Sequence, residues 1–273
     1  MNRIKTLFGK VIQHPIRSAF AVLILVSIIV IGLSLPLYLR QFDEMYLNVL
    51  AEAHGMIFDI LVIGILLFWL RDQGDKKQRI HQYIDEIDDF RLWESEEAAF
   101  RNVGNIKRLN RHGVTKIDLV GTYLVKTNLS KVNLFEANLN TANIANSVLI
   151  EANLEGARLN QTNFENANLN QANLKNTFAS GAIFKDAFLI KANFEGAFLI
   201  KTNFKNGYLM EANLSNCALA ETNFEDTNLY KADFRGAEGL TLEQLSKAKS
   251  LYLANFDPEL HDLLSKEIPD LIG

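Results

Sequence analysis

The sequence predicts an all-β solenoid entered through an α-helical transmembrane hairpin and a helical linker, and three observations predict it. Large apolar residues recur at every fifth position from Leu119 through Leu124, Leu129 and Leu134 to Leu229 and Phe234, with Ala179 the single gap. A second comb two positions earlier is small, as in Ala137, Ala142, Ser147, Ala152 and Ala157. Ahead of both combs lie two apolar stretches, each about as long as the roughly 20 residues that span a bilayer.

A five-residue period matches neither the roughly 3.6 residues of a helix turn nor the 2 of a strand, so a repeat architecture is what remains. One large and one small inward residue per quintet suit a narrow solenoid, each quintet forming one side and then turning. Stacked coils place Leu on Leu and Ala on Ala at about 4.8 Å, the spacing of hydrogen-bonded strands. Between the combs an Asn recurs, as at Asn133, Asn138, Asn143, Asn153 and Asn163. Runs such as Ala152-Asn153-Leu154-Glu155-Gly156 and Ala172-Asn173-Leu174-Lys175-Asn176 resemble the pentapeptide-repeat family, A(D/N)LXX. The resemblance covers nearly half the chain. It implies a right-handed quadrilateral β-helix with four quintets per coil, hence a rod of about six coils, roughly 30 Å long. It says almost nothing of function.

Five segments follow in order. Residues 1–17 carry Arg3, Lys5, Lys10 and Arg17, with Ile4, Leu7, Phe8, Val11 and Ile12 at helical spacing, and read as an amphipathic basic helix on an anionic lipid surface. Residues 18–70 read as a two-helix transmembrane hairpin with spans at about Ser18–Leu39 and Ala51–Leu70, joined by a short loop holding Arg40, Asp43 and Glu44. Basic residues flank the pair on the other side, with Arg71, Lys76, Lys77 and Arg79 after it. The positive-inside rule therefore puts the N-terminus and the repeats in the cytoplasm, at a bacterial inner membrane. Glu52, His54 and Asp59 fall within or beside the second span. An intramembrane carboxylate is expensive, so Asp59 either lines a proton or ion path or is tolerated by protonation or hydrogen bonding in a bundle.

Residues 71–113 read as a helical linker and N-terminal cap. Ile80, Tyr83, Ile84, Ile87 and Phe90 form an amphipathic stripe that either pairs between protomers or docks on its own repeats. A helix from Ser95, a suitable N-cap, to Arg111 precedes the first quintets and covers their open end. Residues 114–238 are the β-helix. Residues 239–273 read as the C-terminal cap, with a capping box at Thr241 and Gln244, an Ala254-Asn255-Phe256 echo out of register with the comb, and a Pro-initiated helix after Asp257.

With residues twenty apart stacked on one face, the outward positions sort into two kinds. Two opposite faces keep Asn or Asp before the large residue, as expected of amide ladders. The others carry bulky apolar residues: Val148, Ile150, Phe188, Ile190, Tyr208, Met210 and Tyr230 on one, Phe178, Phe198 and Ile200 on its opposite. Such residues either stack to stabilise neighbouring coils or form an interface; the Phe188, Ile190, Tyr208, Met210 group is read as the interface.

Chemistry is sparse. The five histidines share no metal-ligand spacing, there is no P-loop or dinucleotide glycine fingerprint, and the one cysteine, Cys217, falls in an inward small slot. No catalytic residue, cofactor or metal is expected. The function read from this is a membrane-anchored, non-enzymatic scaffold, its partners membrane lipid, an unidentified protein and other copies of itself in a homo-oligomer, without nucleic acid. Two alternatives stand beside it: an oligomeric channel or transport component with Asp59 in the membrane, and, from the family resemblance, an acidic DNA-mimicking protector of gyrase. The 28 Lys and Arg against 32 Asp and Glu make for too weak a field to favour mimicry.

Overall fold

The computed structural model describes residues 15–38 and 45–272, with side chains except at 15–21, 34, 36–38 and 45–49. It divides into two compact units, residues 1–79 and 80–273. The basic segment before residue 15 and the loop with Arg40, Asp43 and Glu44 lie outside the described residues.

In the first unit, helix α1 runs Pro15–Tyr38 and helix α2 begins at Met45. α2 continues to Asp89, 45 residues without interruption, passing through Gly74. A glycine in a helix interior costs only about 1 kcal/mol relative to Ala, too little to end so long a helix. Within its Leu50–Asp89 stretch α2 is long and apolar enough to cross a membrane, whereas the apolar part of α1 described, Val22–Leu33, is shorter.

The second unit opens with the last turns of α2. Ile87 is buried, and Ile80, Tyr83 and Ile84 pack against the apolar core of the repeats. The stripe read as a helix-pairing element is therefore occupied within its own unit, with Phe90 turned edge-on to Trp93 at 5.2 Å. Docking wins over pairing because the first coil offers an open apolar end next to it in sequence. Helix α3, Glu96–Arg111, is capped by Ser95, whose hydroxyl accepts from the Ala98 amide at 3.1 Å. It buries Ala98, Ala99, Val103, Ile106 and Leu109.

From Asp118 onward each quintet contributes one bridging residue, and each bridge pairs residues twenty apart in parallel, as Asp118 with Asn138 and Tyr123 with Asn143. Four quintets thus make one coil. We number the faces by their bridging residues: face I holds Asp118 and Asn138, face II Tyr123, face III Asn128, face IV Asn133. Among the described residues the sides are isolated bridges rather than extended strands, because a turn intervenes after every large residue. The amide three positions after that residue bonds back to its carbonyl, as Thr122 to Leu119 at 3.1 Å. The second turn residue alone is left-handed, as at Lys126 (φ 56°) and Glu136 (φ 54°), which defines a type II turn.

Both combs point inward. Leu119 through Phe234 are buried, as are the small slots, and Phe164, Phe184, Phe204 and Phe224 stack through the coils at 4.8, 5.2 and 5.7 Å. Buried threonines in the small slots are satisfied: the Thr162 hydroxyl donates to Leu139 O at 2.7 Å and Thr202 to Ala179 O at 2.9 Å. The recurring Asn has a local job as well. Its side-chain oxygen accepts from the amide two residues on, as Asn128 from Ser130 and Asn163 from Glu165, both at 2.9 Å, and so secures the turn.

The ends are closed by different devices. At the start, the Asn110 side chain accepts from the Asn133 amide and donates to the Asn133 carbonyl, both at 2.8 Å, taking the place of a missing strand below face IV. At the other end the spacing slips by two, Asn228 bridging Ser250 and Asp233 bridging Asn255. The slip is made at face II, where helix α4, Leu242–Ser246, replaces a quintet. Gln244 Nε2 donates to Leu219 O and Thr222 O, both at 3.0 Å, and Leu245 is buried. The Ala254-Asn255-Phe256 echo, out of register in sequence, is in register in space, with Phe256 stacked on Phe234 at 5.1 Å. Helices α5, Pro258–Glu267, and α6, Pro269–Ile272, bury Leu264 and Ile272 over this last coil.

Candidate interaction surface

The amide ladders form where Asn is kept. On face IV Asn153 donates to Asn133, Asn173 to Asn153 and Asn213 to Asn193, each at 3.1 Å. On face II Asn163 donates to Asn143 at 3.3 Å and Asn223 to Asn203 at 3.2 Å.

Faces I and III give up this arrangement. Phe188 and Tyr208 stand where Asn would otherwise secure the turn, stacked on face III at 5.0 Å with their planes 5° apart. Both remain exposed, at 42% and 40%, so stacking covers one side of each ring and leaves the edge to solvent. Ile190, Met210 and Tyr230 follow in the adjoining column, half-buried. The column continues onto the cap: Tyr252 stacks on Tyr230 at 6.0 Å, and Leu253, with φ 59°, is 50% exposed. From Asn128 to Tyr252 no outward side chain on the flat of face III is charged. Tyr252 and Leu253 were hidden in the sequence by the two-residue slip, although the Asn255 echo was the signal that the comb resumes.

On the opposite side Phe178 and Phe198 stack at 5.1 Å, with Ile200 half-buried beside them. Phe178 and Phe198 line a groove of about 780 Å³ together with Phe135, Arg158, Lys116 and Glu136. Face I is thus apolar and charged by turns, and the structure separates its aromatics from those of face III by the width of the rod.

Charges elsewhere pair from coil to coil. Lys185 bonds Glu165 at 2.7 Å and Lys205 bonds Glu225 at 2.8 Å on face II, and Lys175 bonds Glu195 at 3.0 Å on face IV. Lys131 with Glu151 at 3.4 Å and Lys191 with Glu211 at 3.5 Å run along the corner between faces III and IV. The Glu165 carboxylate beside Lys185 raises that ammonium's pKa.

In the first unit, the helical step of about 100° per residue puts Glu52 and Asp59 on one stripe of α2, two turns apart, and His54 on the other side. His54 Nδ1 lies 2.6 Å from the Leu50 carbonyl of its own helix. The three residues do not converge on one point. Among the described residues no group of three or more His, Cys, Asp or Glu is placed to hold a metal. Cys217 is buried in its small slot, Sγ donating to Phe194 O at 2.9 Å, and burial pushes its pKa up to about 12.

The sequence model of the family described as Pentapeptide repeats matches in 8 copies, over residues 115–149, 147–186, 167–206 and 208–238. Solved structures similar to this chain include full-length QnrB1, a plasmid-mediated fluoroquinolone resistance protein. It is 15% identical over 56% of this chain and 83% of that one, with a TM-score of 0.30. HetL, involved in heterocyst differentiation regulation in the cyanobacterium Nostoc sp. strain PCC 7120, is 22% identical over 56% of this chain and 93% of its own, at 0.21. Rfr23 from the cyanobacterium Cyanothece 51142 is 23% identical over 56% and 98%, at 0.18. No curated protein matches the chain significantly.

Proposed function

Residues 115–238 belong to the pentapeptide-repeat family, and from this we propose that the chain is a non-enzymatic scaffold that presents face III of its rod to a protein partner from a membrane anchor. One observation carries the reading: the flat of face III is uncharged throughout, whereas faces II and IV are laddered by amides and Lys–Glu pairs and face I alternates apolar with charged residues, and the aromatics of face III forgo the turn-securing Asn. A contiguous exposed apolar patch on a rigid support is what an interface requires. α1 and α2 serve as the hairpin anchor, with the N-terminus and repeats on the cytoplasmic face of a bacterial inner membrane, in keeping with the basic residues that flank the pair.

The test is photocrosslinking in native membranes from a photoreactive residue at position 188, with position 153 on the amide ladder as control. Crosslinked species at 188, lost in Tyr208→Glu and absent at 153, support the reading; equal labelling at both positions sinks it.

Placement of Glu52 and Asp59 on one stripe of α2 favours, as a second reading, a ring of hairpins around an ion path. In that case Asp59→Asn abolishes a flux in reconstituted vesicles while the protein still folds, whereas the scaffold tolerates the substitution. Gyrase protection by DNA mimicry is disfavoured, since the coil-to-coil Lys–Glu pairs neutralise the carboxylates that mimicry would need.

A further inference from the structure

We infer that the occupant of face III is a second copy of this chain, set side by side and parallel about a twofold axis along the rod; this rests on the scaffold reading above and names its partner. The argument is charge complementarity at the borders of the patch. Along the corner between faces II and III run Lys126, Asn146, Asn166, Asp186, Asn206 and Asp226, and along the corner between faces III and IV run Lys131, Glu151, Gln171, Lys191, Glu211 and Lys231. A twofold axis parallel to the rod brings each corner of one copy against the other corner of its mate at the same height. Asp186 then faces Lys191 and Asp226 faces Lys231, twice each by symmetry, on either side of the Phe188 and Tyr208 rings. The one like-charged pairing, Lys126 against Lys131, falls three coils below Phe188, outside the patch. An antiparallel pair centred between the same two rings sets Asp186 against Asn206 and Asp226 against Asn166, and its one kind of opposite-charge pairing, Lys191 with Glu211, is already made within each chain at 3.5 Å.

An isologous contact needs a surface complementary to itself, which the uncharged flat of face III supplies together with Asp186 and Asp226 on one border at the heights of Lys191 and Lys231 on the other. A face one quintet wide is narrower than the roughly 800 Å² per partner of a stable soluble complex. Pairing between free rods is therefore weak, and sharing one membrane raises it, since tethering gives effective concentrations on the order of millimolar.

The test uses the full-length chain in membrane vesicles, with two differently tagged copies, one carrying Asp186→Cys and the other Lys191→Cys, under mild oxidation. Both positions are turn corners with φ 58°, Lys191 exposed and Asp186 half-buried beside Asn206 and Lys185 on the rod's surface, so neither substitution reaches the core, and native Cys217 is buried away from the reagent. The expected result is a disulfide between the two tags, at least tenfold above either variant alone, and lost when Phe188→Glu and Tyr208→Glu are added. A second pair of variants guards against misfolding: Asp186→Lys weakens native-membrane dimer recovery, and Asp186→Lys with Lys191→Asp restores it. Crosslinking of Asp186→Cys with itself as strongly as the mixed pair, or no mixed disulfide at all, overturns the inference. If the mixed disulfide is absent while a photoreactive residue at 188 still captures a different protein, the second copy is excluded and the scaffold reading survives.

Discussion

Thr141 sits at the second turn position with φ 59°, a branched residue in a region that suits glycine or asparagine. Thr141→Gly is expected to raise stability by about 1 kcal/mol, read as an increase in the urea midpoint, because the strained backbone relaxes. Cys217 is the opposite case, a residue at rest. With its thiol pushed up to about 12 and its side chain enclosed, it is expected to escape alkylation at pH 8 in the native protein and to react on unfolding, as mass spectrometry would record. Asp233 is held below the ordinary carboxylate range chiefly by its hydrogen bond from Arg235, whose Nη2 lies 2.6 Å away. A depressed folded pKa stabilises above the unfolded carboxylate value of about 4 and is lost as pH falls through the folded one. Arg235→Gln should therefore lower stability at pH 7 and leave it almost unchanged at pH 2, a difference that parallel urea titrations would show.

At the scale of elements, the caps decide whether the stack is a molecule or the start of a fibre. Asn110 is the smallest such device, one amide doing the bonding of a whole quintet beneath Asn133. Asn110→Leu is expected to cost about 1 kcal/mol, the net worth of hydrogen bonds to the exposed Asn133 backbone, with Asn110→Asp between it and the native protein. Denaturation midpoints of the native protein and the two variants give that order, and an unchanged midpoint for Asn110→Leu would contradict it. The sequence showed that a helix from Ser95 would cap the coils, since a serine, an acidic first turn and an apolar stripe are local signals. It did not show Asn110, because a residue whose partner is 23 positions away carries no local mark. The face III extension through Tyr252 and Leu253 was illegible for a related reason: α4 inserts two residues, and a comb read by counting cannot cross a change of count.

At the scale of the whole molecule, what was legible is what repeats. The five-residue period put Leu119 to Phe234 inside and sorted the outward residues onto faces, and the bridges at twenty-residue spacing follow that sorting. Which apolar residues would serve as contacts was less legible, since stacking and exposure coexist at Phe188 and Tyr208. The helix-pairing stripe was ambiguous because an amphipathic face reads the same whether its mate is another chain or the adjoining coil, and Ile87 chose the coil. The charge pattern has a measurable counterpart. Face III is uncharged, so the double variant Phe188→Glu with Tyr208→Glu is expected to lower the thermal midpoint only slightly, through loss of one ring stack worth about 1 kcal/mol. A collapse of the midpoint would mean that the rings hold the coils together rather than wait for a mate.

From Asp118 to Glu238 the bridges keep a constant step of twenty residues, which makes length a quantised property of this stretch of the rod. Removing one quintet turns everything downstream by a quarter revolution, so that Asn ladders meet aromatic columns and the cap closes over the wrong side. Removing four quintets, such as residues 158–177, shortens the rod by one storey and returns every later residue to its own face. The fold can thus gain or lose height only in whole storeys, and the height of the aromatic patch above the first coil is adjustable in that one increment, roughly 4.8 Å at a time.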